Sequence, residues 1–260
     1  FISTATFTRH LQFFREHFEI VTLGQFFNRS QSSSKPVIAL TFDDGYRNNF
    51  KYVLPLLEEF EMPATFFVTP VQESGYDILW ADALDLHRLT GPQELIFQGS
   101  IYRKGKHEYL AKNGSLKQHL KNSGWELKRL FLDQILKENQ FLRNKELDMY
   151  WQLMDANELK KLSDSPFAEV GAHGLRHNSL TQIPLPEAVN EMKTAKKYLE
   201  EVTGKEVRFL AYPNGAYNKA LISEARKSGY SGQLLMDYTH PDDAGEPDLK
   251  DRFGTNPYIS

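Results

Sequence analysis

The stretch Val37-Ile38-Ala39-Leu40-Thr41-Phe42-Asp43-Asp44-Gly45 decides the fold class. Its first six residues form a continuous apolar and β-rich run, which is typical of a buried strand in a parallel sheet. The run ends abruptly at two carboxylates and a glycine. Such a strand delivers side chains to its carboxyl end, where barrel enzymes gather their catalytic groups. The stretch therefore predicts a parallel α/β fold with a functional site at that end.

Alternating strands and helices surround this stretch. A helix with apolar positions 52, 56, 57 and 60 follows it, and the apolar run 64–68 predicts a second buried strand, which completes a strand, helix, strand unit. The other predicted strands are 20–23, 168–172, 207–212 and 231–236, and the other predicted helices are 7–18, 24–29, 158–162, 187–203 and 219–228. The pattern indicates a single domain, residues 1–260.

The alternation is interrupted between about residues 95 and 150. A possible hairpin around Gly99, with strands 95–97 and 101–102, precedes a polar helical stretch with apolar positions 116, 120, 125, 130, 136 and 141, so we predict a mainly helical insertion. The tail 240–251 is acidic and contains proline and glycine, which is typical of a solvated loop.

The composition is that of an ordinary globular protein. The chain has 260 residues, of which 40% are hydrophobic and 25% charged, and its formal net charge is -3. This balance does not indicate a nucleic acid or an anionic membrane as partner. The sequence contains no cysteine, so a metal site has to use histidine and carboxylate. No run approaches the roughly 18 apolar residues of a membrane span.

Two pairs of polar residues stand at predicted strand ends. Asp43 and Asp44 can converge on one site from different angles at a tight glycine turn, although an Asp-Asp-Gly turn can also merely cap a helix. His173 and His177 follow the strand 168–172 at a spacing that suits metal ligation, although isolated histidines are often simply packed or exposed. Together the pairs predict a hydrolytic metal site with two histidines and one carboxylate. Oxygen-activating iron sites use the same ligand set, so it does not separate hydrolysis from oxidation.

Three ordered motifs resemble those of the polysaccharide deacetylases, carbohydrate esterase family four with the NodB-homology domain. They are Thr41-Phe42-Asp43-Asp44-Gly45, His173-Gly174-Leu175-Arg176-His177 and Arg208-Phe209-Leu210-Ala211-Tyr212-Pro213-Asn214-Gly215. The resemblance covers roughly residues 1–80 and 150–235. It implies a distorted (β/α)7 barrel fold. It also implies an enzyme that removes acetyl groups from an N-acetylated sugar.

The resemblance also implies residue roles. Asp44, His173 and His177 match the metal ligands, Asp43 matches the catalytic base, and Arg208 matches the arginine that pairs with that base. Zinc is the expected metal, with cobalt or nickel as alternatives.

The third motif implies two further contributions. Tyr212 would supply a backbone N–H to the tetrahedral oxyanion, and Pro213 would shape the acetyl-binding wall.

The chain departs from the family after Pro213, because the last two family motifs have no clear counterpart. His240 is the sole downstream histidine and a weak candidate for the general acid. The ending 250–257 resembles instead a subgroup that closes with an arginine-bearing final strand and lacks the fifth motif. Three histidines in or just before the insertion, at positions 87, 107 and 119, are further acid candidates, and Trp80 either stacks on a sugar at the barrel mouth or packs in the core.

Two rival functions stay open. One is hydrolysis of another amide on the same fold, and the other is a glycan-binding module with weak catalysis.

The family favours a cell-envelope or extracytoplasmic location, while a cytoplasmic one stays open. The first residue is Phe1 rather than Met, which leaves room for an upstream leader or anchor. The glycan, the physiological metal and the oligomeric state are left undefined by the sequence.

Overall fold

Strands and helices alternate along most of the chain in a computed structural model that describes residues 2–28, 33–137, 142 and 144–254. The strands are β1 Glu19–Ile20, β2 Val37–Ile38, β3 Leu40–Phe42, β4 Ala64–Val68, β5 Glu94–Phe97, β6 Ser100–Lys104, β7 Tyr109–Ala111, β8 Gly114–Ser115, β9 Ala168–Ala172, β10 Phe209–Ala211, β11 Gly232–Leu234 and β12 Leu249–Lys250. The α-helices are α1 Thr4–His17, α2 Leu23–Phe27, α3 Leu54–Phe60, α4 Trp80–Thr90, α5 Leu116–Lys121, α6 Trp125–Ile135, α7 Asp148–Trp151, α8 Ala156–Asp164, α9 Leu185–Thr203 and α10 Lys219–Lys227.

Six parallel strands form the central sheet, in the order β12-β11-β10-β9-β4-β3. Strand β4 is buried along its whole length and pairs with β3 on one side and β9 on the other. Helices α8, α9 and α10 connect successive strands and cover the sheet with apolar side chains, among them Leu162, Met192 and Ile222. The predicted α/β alternation is therefore confirmed.

The sheet curls so that its first and last strands approach each other. Strands β3 and β12 stand at opposite ends of the strand order, yet Arg252, two residues after β12, contacts Thr41 and Asp43 at the end of β3. This curvature agrees with the predicted distorted barrel. The resemblance implied seven strands, whereas the described residues contribute six to this sheet.

The stretch that decides the fold is divided between two sheets. We predicted one buried strand over residues 37–42, but β2 pairs with β1 in a separate parallel pair and β3 pairs with β4. Both short strands are only partly buried. The chain therefore crosses at Ala39 from the small pair to the central sheet, and only its last three residues carry the carboxylates to the strand end.

The predicted insertion contains more strand than its sequence indicated. The predicted hairpin is present as β5 and β6, and β7 and β8 extend it to an antiparallel sheet of four strands. Helices α4 and α6 pack on this sheet around a second hydrophobic core that includes Trp80, Phe97 and Phe131. The predicted helical position Phe141 lies outside the described residues.

The tail departs from the predicted solvated loop. Strand β12 extends the central sheet by pairing parallel with β11. Its Leu249 is fully buried. Burial of this apolar side chain favours pairing with the sheet in a segment that is otherwise acidic.

Within the described residues, no helix combines the length and the apolar character that a membrane span requires.

Candidate metal centre

The turn after β3 places the two adjacent carboxylates. Asp44 has φ 73° and Gly45 has φ 81°, so two successive residues adopt the left-handed region that disfavours ordinary side chains. A Cβ atom on Gly45 would lie 2.8 Å from Cγ1 of Val68, and glycine is therefore required. Strained backbone at a non-glycine residue costs about 1–3 kcal/mol and gathers at functional sites, which makes Asp44 a functional candidate.

The histidines lie on the ligand loop, which we define as residues 173–178, directly after β9. The backbone N–H of His173 donates to the carbonyl of Val68 at 2.9 Å. Its ring Nδ1 lies 2.8 Å from the carbonyl oxygen of Ala211. Because a carbonyl only accepts hydrogen bonds, Nδ1 carries the proton. In the neutral ring, Nε2 then keeps its lone pair for a metal.

Asp44, His173 and His177 form a compact donor set. Oδ1 of Asp44 lies 3.3 Å from Nε2 of His177 and 3.6 Å from Nε2 of His173, and the donor atoms of the three residues all lie within 4.8 Å of one another. Donors at 2.0–2.2 Å from a tetrahedral zinc ion stand about 3.3–3.6 Å apart. The two spacings from Asp44 to the histidines therefore fit such an ion.

Two further observations support a metal here. Oδ1 of Asp44 is buried and, within the part of the chain that the structure describes, accepts no hydrogen bond, although buried carboxylate oxygens are normally paired. Burial lowers the pKa of His177, an effect that the opposing charge of Asp44 does not cancel. The ring is therefore neutral at neutral pH, as a metal ligand must be.

Asp43 is held beside this donor set by Arg252. The guanidinium donates to both carboxylate oxygens, from Nη1 at 2.7 Å and from Nη2 at 2.8 Å. Burial alone would raise the pKa of Asp43, but His173 and Arg252 outweigh it and the net shift is downward. Asp43 is therefore ionised at neutral pH, and its Oδ2 lies 3.7 Å from Nε2 of His173.

Tyr46 and Asp82 lie close to Asp44, and the sequence did not predict either as a site residue. The Tyr46 hydroxyl contacts both oxygens of Asp82, at 2.9 and 3.1 Å. Burial, followed by the charge of Asp44, raises the pKa of Asp82 to about 8. Asp82 stands on α4 two residues after Trp80, in a helix without a motif that would have marked it in the sequence.

Comparisons with known proteins identify the family. The polysaccharide deacetylase family model matches residues 30–95 and 113–232, which is more than half of the chain. The chain belongs to the polysaccharide deacetylase family. None of the curated proteins compared with it matches.

Solved structures share the fold of this deacetylase-family chain. The deacetylase PplD of Streptococcus pyogenes, in complex with acetate, is 16% identical, with a TM-score of 0.56 over 100% of this chain and 84% of the other. IcaB from Ammonifex degensii is 18% identical, with a TM-score of 0.60 over 98% and 85%. A polysaccharide deacetylase from Bacillus cereus is 18% identical, with a TM-score of 0.54 over 97% and 57%. At these identities the likeness shows the fold alone.

The predicted pairing of Arg208 with the base is wrong. Arg208 precedes β10, whereas Asp43 follows β3, so in a parallel sheet the two lie at opposite ends. Arg208 instead pairs with Glu169 at 2.7 Å. The arginine at the base is Arg252, and the signal for it was the tail that resembles the arginine-bearing final strand of one deacetylase subgroup.

The predicted oxyanion role of the Tyr212 N–H is also wrong in this structure. That N–H donates to the carbonyl of Leu234 at 3.1 Å, and the buried Tyr212 hydroxyl contacts Gln233. Pro213 does lie beside the ligand loop, since a Cβ on Gly174 would stand 3.2 Å from its Cγ. Its role in an acetyl-binding wall stays a prediction.

The candidate acids and Trp80 lie in other surroundings. His240 is exposed at the start of a 3-10 turn, and no hydrogen bond or ion pair within the described ranges joins it to the donor set. In the insertion, His119 contacts Tyr102 and His107 is exposed, while His87 on α4 is buried. Trp80 is only 2% exposed, so the core interpretation holds and sugar stacking does not.

Replacing Arg252 by glutamine is expected to move the acid limb of the activity profile to higher pH. Arg252 holds the pKa of Asp43 down. Without it that pKa rises, so the base is lost to protonation at a higher pH. Activity at neutral pH should also fall about tenfold or more, because the two hydrogen bonds that orient Asp43 are lost. A hydrogen bond to a charged group contributes about 1.5–3 kcal/mol to the stability of such an arrangement. The measurement is kcat/KM against pH, with Arg208→Gln as the matched control that leaves the limb in place.

Proposed function

We propose that this chain is a metal-dependent hydrolase that removes N-acetyl groups from an N-acetylated glycan. The observation that carries the proposal is the placement of Asp43, which Arg252 orients directly beside the donor set of Asp44, His173 and His177. An ionised carboxylate that is not needed as a ligand, next to a cluster that can hold a metal, is an arrangement suited to metal-dependent hydrolysis of an amide. Membership of the polysaccharide deacetylase family favours this reaction over oxygen activation.

The residues divide the reaction between them. Asp44, His173 and His177 would hold a divalent metal, which would act as a Lewis acid and lower the pKa of a bound water toward about 7. Asp43 accepts the proton of the water that attacks the acetamide carbonyl. Arg252 keeps Asp43 ionised and fixes its orientation through two parallel hydrogen bonds. The group that protonates the leaving amine is unassigned.

Zinc is the proposed metal, and cobalt and nickel are expected to substitute for it. The donor set has two imidazoles and one carboxylate, which these ions accept. The proposed substrate is an N-acetylated sugar of a polysaccharide or an envelope glycan, at a cell-envelope or extracytoplasmic location. The deacetylase PplD of Streptococcus pyogenes was solved with acetate, the product that we expect here.

The experiment compares products from three sets of compounds. Purified protein with one equivalent of zinc is incubated with N-acetylglucosamine oligomers, with N-acetylated envelope glycans and with small cyclic amides. We expect acetate and a free amine in equal amounts from at least one glycan. Asp43→Asn protein serves as the control for contaminating activity.

The other outcomes separate the rival functions. Ring opening of a cyclic amide without acetate release would support the other-amide hydrolase. Glycan binding without turnover, in a protein that holds zinc, would support the binding module. Either result would contradict the proposed deacetylase.

A further inference from the structure

The ligand loop lacks regular secondary structure of its own. His177 has φ 53° and Gly174 has φ 69°, and no residue from 173 to 178 belongs to a helix or strand. Two of the three proposed ligands therefore depend on contacts from neighbouring elements for their positions.

Glu191 on α9 holds the loop from one side. Its carboxylate is fully buried, and Oε2 accepts hydrogen bonds from the backbone N–H groups of Leu175 and Arg176, each at 3.2 Å. Oε1 accepts from Nδ2 of Asn178 at 2.8 Å. Glu191 thus satisfies the loop backbone and one end of the Asn178 amide.

Lys128 on α6 of the insertion holds the other end of that amide. Its side chain is fully buried, and Nζ donates to Oδ1 of Asn178 at 2.6 Å and to the carbonyl of Ser123 at 2.8 Å. The ammonium also lies 5.1 Å from the centre of the Trp80 ring. Asn178 therefore bridges a buried cation and a buried anion, directly after the proposed ligand His177.

A second contact to the same point comes from α4, which packs on the insertion. The indole N–H of Trp80, at the start of α4, donates to the backbone carbonyl of His177 at 3.2 Å. Burying a charged ammonium is costly unless several partners compensate it. Here those partners are the Asn178 side chain of the ligand loop, the Ser123 carbonyl and the Trp80 ring, whose indole N–H also contacts the loop.

We propose that Lys128 is a positioning residue for the metal centre, and that the insertion is thereby a working part of it. Lys128 fixes the Asn178 amide, and this fixes the backbone of His177 so that Nε2 points at Asp44. Asn178, Trp80 and Glu191 complete the support. The inference rests on the metal site of the proposed function, but it does not depend on which amide is hydrolysed.

The experiment measures metal affinity in the full chain with Lys128→Met. This side chain keeps most of the volume and removes the ammonium. We expect zinc to bind about 10–100-fold more weakly, as when a contact that orients a metal ligand is lost. The absorption spectrum of the cobalt-loaded protein should also change, because the His177 ring is no longer held in place. Unchanged affinity in a folded variant would overturn the proposal.

Lys196→Met is the matched control. Lys196 also donates to a backbone carbonyl, that of Val207 at 2.6 Å, and lies 5.5 Å from the Tyr230 ring. Its ion pair is with Glu200, and among the described residues no hydrogen bond or ion pair joins it to the ligand loop. It should keep the wild-type zinc affinity and cobalt spectrum. An equal loss in both variants would mean that removing any lysine that donates to a backbone carbonyl has this effect, which would overturn the specific role of Lys128.

Trp80→Phe provides a variant that keeps the ammonium and an aromatic ring. It removes the indole N–H that donates to His177, so zinc affinity should fall by a smaller factor with the fold intact. Full affinity in this variant would remove Trp80 from the support, and if Lys128→Met does not fold, the alkylated Lys128→Cys proteins decide the role of Lys128.

The absence of cysteine from the chain allows a rescue that tests the charge itself. In Lys128→Cys the new thiol is unique, so it can be alkylated in denaturant with 2-bromoethylamine or with iodoacetamide before refolding. The first reagent restores an ammonium at nearly the lysine length, and the second gives a neutral amide. We expect zinc affinity to recover only with the first reagent, and equal recovery with both would overturn the role of the cation.

These results are distinguishable from failure of the proposed function. Wild-type protein that binds no zinc would contradict the metal site. Wild-type protein that binds zinc and releases no acetate would contradict the deacetylase but leave the comparison of Lys128 and Lys196 fully informative.

Discussion

Replacing Asp43 by asparagine is expected to lower acetate release about 10²–10⁴-fold, the usual contribution of a general base. Asparagine keeps the shape of the side chain but cannot take a proton from the attacking water. Zinc affinity should stay close to the wild-type value, because the proposed carboxylate ligand is Asp44, whose Oδ1 faces both histidine Nε2 atoms.

The metal measurement matters because Asp43 also stands near a ligand. Its Oδ2 lies 3.7 Å from Nε2 of His173, almost as close as Oδ1 of Asp44 at 3.6 Å. Zinc affinity and turnover are therefore measured on the same preparation. A loss of zinc binding in Asp43→Asn would reverse the assignment of the two carboxylates, and full turnover would remove Asp43 from the reaction.

Glu169→Gln is the matched control for this variant. Glu169 and Arg208 form an acid–arginine pair at 2.7 Å, the same distance as the shorter contact between Asp43 and Arg252. The pair lies at the amino-terminal end of the sheet, away from the donor set. Glu169→Gln should therefore retain turnover, and this result would separate a catalytic role of Asp43 from a general effect of removing a paired carboxylate.

Replacing His177 by alanine is expected to abolish zinc binding and turnover together. The variant leaves two of the three proposed ligands, so the loss of affinity should exceed the about 10–100-fold expected for a supporting contact. The fold should persist, because the side chain contributes little to the hydrophobic core. Zinc titration, acetate release and thermal unfolding of the variant are the measurements.

His240→Ala completes this comparison. His240 is exposed, and the same substitution there should leave zinc binding unchanged and acetate release nearly so. A large loss of turnover with intact zinc binding would instead restore His240 as the general acid. Persisting turnover in His177→Ala would contradict the proposed ligand set.

The sequence predicted which residues meet at the carboxyl edge of the sheet, but not which contacts form where the barrel closes. Asp44, His173 and His177 stand directly after strands, so the parallel topology alone brings them to one edge. Arg208 was assigned to the base from a motif, but a residue that precedes its strand lies at the opposite end. The contact of Arg252 with Asp43 depends on how far the sheet curls, and strand periodicity carries no information about that.

Tertiary contacts also explain what the sequence did not indicate about the insertion. Lys128 lies in the stretch that the sequence predicts to be a polar helix, yet it is fully buried against Asn178. Trp80 was equally compatible with a sugar platform and with a core position, and only the packing of α4 on the insertion separates them. Such pairings depend on residues 50–97 positions apart, a range over which local patterns predict little.

The central claim is most directly tested by removing and restoring the metal. Purified protein is stripped with a chelator, assayed for acetate release from an N-acetylated glycan on which the untreated protein is active, and then reloaded with one equivalent of zinc, cobalt or nickel. The account predicts that release disappears on stripping and returns on reloading in wild-type protein, but not in His177→Ala. Undiminished release from fully stripped protein would contradict it.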